Sequence, residues 1–181
     1  MNILLISGSA NPNSRSSLLV EAADKALQKI GVETRLIDLA KTLLPLCDGG
    51  AAYEHPEVDK LSTIIKNADA ILVGIAVYNY SVNAAIKNLL ELTGSAWEDH
   101  VVGFLCAAGG SSSYMSVMGF ANSLMLDFRC LILPRFIYAV GSDFSDREVA
   151  SPEIRKRIGR LADEAKRLAA YRESAKILAK R

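Results

Sequence analysis

The chain has 181 residues, half of them apolar, and its 21 basic and 20 acidic side chains leave a formal net charge of +1. That length supports a full core in one domain spanning residues 1–181, and the charge balance offers no electrostatic footprint for nucleic acid or an anionic membrane. No apolar run approaches the roughly 20 residues of a membrane span, and Asn2 leading straight into a strand pattern is not a signal-peptide start, so a cytoplasmic setting is expected. Cys47, Cys106 and Cys130 are odd in number and lack metal-ligand spacing, so neither a disulfide framework nor a zinc site is expected. Cys106 and Cys130 read as packed in strands.

Taken in order, Ile3, Leu4, Leu5 and Ile6 form an unbroken apolar run bounded by small residues, as suits a strand covered on both faces. Ser7, Gly8, Ser9, Ala10, Asn11, Pro12, Asn13, Ser14, Arg15, Ser16 and Ser17 follow before an apolar helical pattern over residues 18–30, which Gly31 stops. A helix N-terminus presents unpaired N–H groups and a partial positive charge, so this turn reads as an anion site. Arg15 opposes the dipole there, which makes better sense with a phosphate between the two. The plainer alternative is an ordinary serine cap beside a solvated arginine.

Residues 32–39 alternate as a second strand, and a long irregular connection over 40–55 suggests a functional or subunit-contact role. Pro56 opens a helix to about Lys66. Residues 70–76 form an apolar, central third strand, followed by a loop over 77–81 and a helix on which Val82, Ile86, Leu89 and Leu90 share a face. Residues 101–108 make a fourth strand. A loop over 109–113 enters a helix from Tyr114 to about Asp127, and residues 130–133 begin a fifth strand that Pro134 interrupts. Ser151, Pro152 and Glu153 start the last helix, whose basic end, residues 171–181, reads as solvated.

Five alternations of strand and helix predict an α/β doubly wound parallel sheet of order 2-1-3-4-5. Three loops then fall at the carboxyl ends of strands one, three and four, where open parallel sheets bind ligands. Neither GxGxxG after the first strand nor GxxxxGK[ST] is present, so a dinucleotide or triphosphate loop is not indicated. A phosphate carried on an aromatic ring system fits better. Tyr78, Asn79 and Tyr80 offer flat apolar surface and amides, and Gly109 and Gly110 admit close approach of a planar ring. Taken singly, each tyrosine reads as packing and the paired glycines as a turn; their joint placement carries the reading. His55 and His100 lack evident partners and no GxSxG turn occurs, so a serine hydrolase ranks low.

Gly8-Ser9 with Ser14-Arg15-Ser16-Ser17, then Val77-Tyr78-Asn79-Tyr80-Ser81 running into Ala85-Ile86-Lys87-Asn88, then Gly109-Gly110-Ser111, resembles the NAD(P)H-dependent FMN reductase family of flavodoxin-like folds. The first loop is similar to the branch that supplies reduced flavin to two-component monooxygenases. Ala76 stands where that family usually has proline, and Asn83-Ala84 where it commonly has Pro-Gly. The resemblance implies that Ser9, Ser14, Arg15, Ser16 and Ser17 hold the FMN phosphate. It also implies that Val77, Tyr78, Asn79 and Tyr80 line the ring and ribityl chain, and that Gly109, Gly110 and Ser111 contact the isoalloxazine edge. It implies FMN as cofactor, NADPH or NADH as co-substrate, a homodimer or homotetramer, and small-molecule substrates or a flavin-dependent monooxygenase as acceptor. Quinone, azo-dye or chromate reduction is the alternative within the enzyme class. A non-enzymatic FMN carrier is the alternative outside it, although flavodoxins tend to be acidic and this chain is nearly neutral.

Overall fold

The computed structural model describes residues 1–179. Its strands are β1 (Asn2–Ser7), β2 (Glu33–Asp38), β3 (Ala70–Tyr78), β4 (Ser81–Val82), β5 (Val101–Ala107), β6 (Leu131–Ile132) and β7 (Ile137–Ala139). The helices are α1 (Arg15–Lys29), α2 (Pro56–Lys66), α3 (Ala84–Thr93), α4 (Met118–Phe128) and α5 (Pro152–Ala179). The sheet runs β2-β1-β3-β5-β6, with β7 also paired to β5 and β4 to β3. All pairings are parallel except the short β3–β4 ladder. The expected order therefore holds, with β5 as the fourth strand and β6 and β7 together as the fifth.

Continuous apolar runs form strands here because both faces are covered. Leu4 and Ile6 of β1, Ile71, Val73 and Ile75 of β3, and Val102 and Phe104 of β5 pack on the side of α2, α3 and α4. Ile3, Leu5, Leu72, Val101 and Leu105 alternate to the other side, against Leu19, Val20 and Leu27 of α1 and Ile158 and Leu161 of α5. The period of two survives inside the run, and each face receives its own core.

The fifth strand breaks where expected: Pro134 has no N–H to give the ladder, so pairing with β5 stops after β6 and resumes at Ile137. Two expectations need correction. The loop over 77–81 is instead a β-hairpin, in which Val77 pairs with Val82 and Tyr78 with Ser81, so Val82 lies outside the helix that begins at Ala84. Cys130 precedes β6 rather than lying in a strand, and its thiol donates to the Trp97 carbonyl. Of the basic end, α5 continues through Ala179, while residues 180 and 181 lie outside the described residues. No helix among the described residues is long and apolar enough to cross a membrane.

His100 is buried just before β5, and its Nδ1 faces the carbonyls of Glu98 at 3.0 Å and Trp97 at 3.2 Å, so this nitrogen carries the proton. Burial, then the Arg172 charge, holds its pKa below the usual 6.5. The unfolded chain thus takes up a proton that the folded chain refuses, and stability falls as pH drops below about 6.5. Thermal melts between pH 7 and pH 5 should show this decline, and His100→Asn should flatten it; an equal slope in the variant would assign the decline to other groups.

Candidate functional site

The turn after β1 is organised by its own hydroxyls. Ser14 caps α1, its Oγ accepting the Ser16 N–H at 3.2 Å and lying 2.7 Å from the Ser16 hydroxyl. The Ser17 hydroxyl donates to the Ser14 carbonyl at 2.6 Å, and Ser9 Oγ accepts the Asn11 N–H at 3.1 Å. Ser9, Ser14 and Ser16 are all buried. The serines therefore shape the turn as well as lining it. The N–H of Arg15, at the first helical position, finds no acceptor among the described residues, as expected where a helix begins.

Arg15 is the first residue of α1, and no acidic residue accompanies it in the first turn. Its guanidinium lies 5.8 Å from the centre of the Phe144 ring and passes over Gly141, where a Cβ would sit 3.2 Å from Nη1. No carboxylate among the described residues pairs with it. A structural ion-pair role is thus absent, and the side chain is held by an aromatic face and a glycine. Gly141 and Phe144 escape a sequence reading because they follow the fifth strand, far from the motif they serve.

At the end of β3, Asn79 and Tyr80 form the two-residue turn of the hairpin, with φ of 51° and 60°. Such a turn needs left-handed φ at both positions. Asn tolerates this, but a tyrosine there carries roughly 1–2 kcal/mol of strain. Tyr78 and Tyr80 are more than half exposed, at 54% and 56%, so neither is spent on packing.

At the end of β5, Gly109 and Gly110 have no left-handed φ, and a Cβ built on either would meet nothing within 4 Å. Neither the backbone nor the packing requires glycine, which leaves a surface that a side chain would occupy. Tyr138 of β7 donates its hydroxyl to the Gly110 carbonyl at 2.5 Å and fixes the loop. Ser111 opens a 3₁₀ turn, Ser111–Val117, ahead of α4.

The three strand ends converge on one open cleft of about 210 Å³, whose walls include Asn13, Ser14, Arg15, Tyr78 and Gly109. Val77 also lines it. Ser9, Ser16, Ser17, Asn79, Tyr80, Gly110 and Ser111 stand beside the cleft in sequence but not in its lining. Sequence reasoning missed Asn83, which fastens the first two loops together. Its Nδ2 donates to the Gly8 carbonyl at 2.6 Å and its Oδ1 accepts the Ala76 N–H at 3.2 Å, with the side chain buried. The signal was present in the sequence as the departure from Pro-Gly at that position.

The cleft contains no acid–base pair. His55 caps α2 through Nδ1, and His100 lies at the start of β5, the opposite end from the cleft. Burial pushes the Cys106 thiol up to about 12 and the Cys130 thiol to about 11, so both stay protonated and unreactive near neutral pH. No group of three or more metal-ligating side chains exists among the described residues. A helix start carrying an arginine with no ion-pair partner among the described residues, beside exposed aromatic and glycine surface and without a nucleophile, suits a phosphorylated planar cofactor that supplies its own chemistry.

A doubly wound parallel sheet in the order β2-β1-β3-β5-β6, with this cleft at its carboxyl edge, is a flavodoxin-like fold. Residues 1–145 match the family model for NADPH-dependent FMN reductase, and the chain belongs to that family. It is similar to an NAD(P)H-dependent FAD/FMN reductase of Geobacillus thermodenitrificans, 28% identical over 167 residues and covering 90% of each chain. An FMN reductase (NADPH) of Pseudomonas aeruginosa is 29% identical over 167 residues, covering 90% of this chain and 89% of the other. Among solved structures, the flavoenzyme NAD(P)H:(acceptor) oxidoreductase FerB from Paracoccus denitrificans superposes with a TM-score of 0.75 at 19% identity. That match covers 96% of this chain and 97% of the other, and at such identity it speaks for the fold. The protein is an NAD(P)H-dependent flavin oxidoreductase using FMN.

Asn83→Ala would leave a buried carbonyl and a buried N–H unpaired, each costing roughly 1–3 kcal/mol. Denaturant unfolding should show a loss of at least about 2 kcal/mol, and flavin affinity should fall with it because the two loops lose their tie. Wild-type stability in this variant would show that the bridge is dispensable.

Proposed function

We propose that the strand-end cleft holds FMN with its phosphate at the start of α1 and its ring between Tyr78 and the Gly109–Gly110 edge. The observation that carries this is the convergence of Ser14, Arg15, Tyr78 and Gly109 on one cleft. The N–H groups at the start of α1 and the Arg15 guanidinium would bind the phosphate, Ser9, Ser14, Ser16 and Ser17 holding the turn in shape around it. Tyr78 would pack on the ring, and the bare backbone at Gly109, Gly110 and Ser111 would sit along its edge. Val77 and the turn of Asn79 and Tyr80 would border the ring and ribityl chain. When bound, FMN accepts a hydride from the nicotinamide of NADH or NADPH. The protein's task is then orientation and exclusion of water, in keeping with a site free of acid–base residues.

The half-exposed face of Tyr78 leaves that side of the cleft open, where a small-molecule acceptor or a flavin-dependent monooxygenase would approach. A homodimer or homotetramer is part of the same reading. The apolar side chains of α3 are consumed by the chain's own core, but Leu43 and Leu46 of the long connection stand 91% and 81% exposed. Asn88 holds that connection in place, accepting the Cys47 N–H at 2.8 Å and donating to the Pro45 carbonyl at 2.9 Å. Light scattering at micromolar concentration should report a multiple of 19.5 kDa, and a monomer mass would contradict an assembly.

Arg15→Ala tests the phosphate site. Loss of a charge-assisted contact should weaken FMN binding by about 1.5–3 kcal/mol, more than tenfold. The unliganded protein should melt almost unchanged, because losing about 0.5–1 kcal/mol of contact with Phe144 is offset by relieving a cation at a helix start. Riboflavin, lacking the phosphate, should bind wild-type protein more weakly than FMN. Equal FMN affinity in the variant would remove Arg15 from the phosphate site, and equal affinity for riboflavin would remove the site itself.

A further inference from the structure

Where the fifth strand breaks, a second and larger cleft of about 400 Å³ opens between the 3₁₀ turn after β5 and α5. Tyr114, Pro134 and Arg135 form one wall, and Arg157, Arg160 and Leu161 of α5 form the other. None of the three arginines takes part in an ion pair among the described residues. Two glutamates border the same cleft, and both have explanations elsewhere. Glu153 sits in the first turn of α5, where the helix dipole favours an anion, and Glu164 pairs with Arg167 at 3.6 Å. Arg157 gives one N–H to the Phe136 carbonyl at 3.0 Å, while Arg135 and Arg160 are exposed. Three cationic forks on one concavity, in a chain whose net charge is only +1, call for an anion.

The aromatic wall narrows the choice. The Tyr114 ring stacks on Phe136 at 4.8 Å between centroids and remains 43% exposed, so it offers a flat surface backed by a second ring. A planar base lies well on such a platform, and guanidiniums bind phosphate oxygens two at a time. The same cluster leads to the flavin cleft. Tyr114 packs edge-on against Tyr138 at 5.4 Å, and Tyr138 holds the Gly110 carbonyl.

We infer that this cleft takes the adenosine-phosphate end of the nicotinamide dinucleotide, with the base against Tyr114 and phosphate oxygens on Arg135 and Arg160. The inference rests on the reading of the strand-end cleft as the flavin site. A nicotinamide laid on a ring at Gly109–Gly110 leaves the rest of the dinucleotide to be held nearby, and Tyr114 on the wall of this concavity is joined to that loop through Tyr138. The arginines suit either the 2′-phosphate of NADPH or the pyrophosphate common to both dinucleotides.

The probe is 2′,5′-ADP, which carries no nicotinamide and needs no flavin, titrated calorimetrically into wild-type protein and into the double variant Arg135→Ala/Arg160→Ala. Both side chains are exposed, so the variant should fold as wild type does, and melts check this. The expected result is saturable wild-type binding, at least tenfold weaker in the variant, with kcat/KM for NADPH reduced at least tenfold and FMN affinity within twofold of wild type. Tighter binding of 2′,5′-ADP than of 5′-ADP places the 2′-phosphate on the arginines; the reverse places the pyrophosphate there. No binding of either nucleotide, or equal binding in both proteins, overturns the inference and leaves the cleft to another anion, such as an acidic segment of a partner protein. Arginine-dependent nucleotide binding in a protein that does not bind FMN would instead overturn the flavin reading alone.

Discussion

The site depends on one buried amide. Asn83 reaches from just ahead of α3 to the Gly8 carbonyl at the end of β1 and to the Ala76 N–H within β3, satisfying two backbone groups that have no ladder partner there. Beside it the Gly8 N–H donates to the Gly74 carbonyl at 2.9 Å, an approach so close that a Cβ on Gly8 would lie 2.5 Å from that oxygen. These bonds fix the crevice at the point where the strand order reverses, and everything a ligand would meet is positioned from them. Buried polar groups of this kind are costly to leave unpaired, so the bridge constrains geometry as well as adding stability.

Two features on the rim are maintained against local preference. Tyr80 occupies a left-handed turn that glycine or asparagine would enter more cheaply, and Arg15 places a cation where the helix dipole disfavours one. Both side chains are exposed and neither has an ion-pair or hydrogen-bond partner among the described residues, although Arg15 rests on Phe144. A rim that carries backbone strain and a charge without an ion-pair partner is arranged for something that binds there. Tyr138 adds the third constraint by holding the loop after β5 from a neighbouring strand.

Most of the fold was legible because its signals are local and agree with one another. Apolar runs marked the buried strands, Ser151 marked a helix start, and Gly31 marked a stop, whereas the first helix begins at Arg15, ahead of the apolar pattern at 18–30 that announced it. What the sequence concealed was non-local. The tie from Asn83 joins residues 75 positions apart, Tyr138 acts on a loop 28 positions away, and Phe144 reaches back to Arg15. The hairpin at Tyr78–Ser81 was hidden because Asn-Tyr is a poor turn pair by propensity and only the pairing of Val77 with Val82 reveals it. Pro134 did announce the break in the fifth strand, but not that the chain rejoins the ladder at Ile137, nor that a cleft opens beside it.

The central claim, that three strand ends tied by Asn83 form one flavin site, is tested most directly by a crystal structure of the protein soaked with FMN. The account predicts the phosphate at the first turn of α1, within hydrogen-bond distance of its N–H groups and of the Arg15 guanidinium, with the ring between Tyr78 and Gly109. A phosphate seated away from that helix start, or a ring lying outside the cleft, would contradict it.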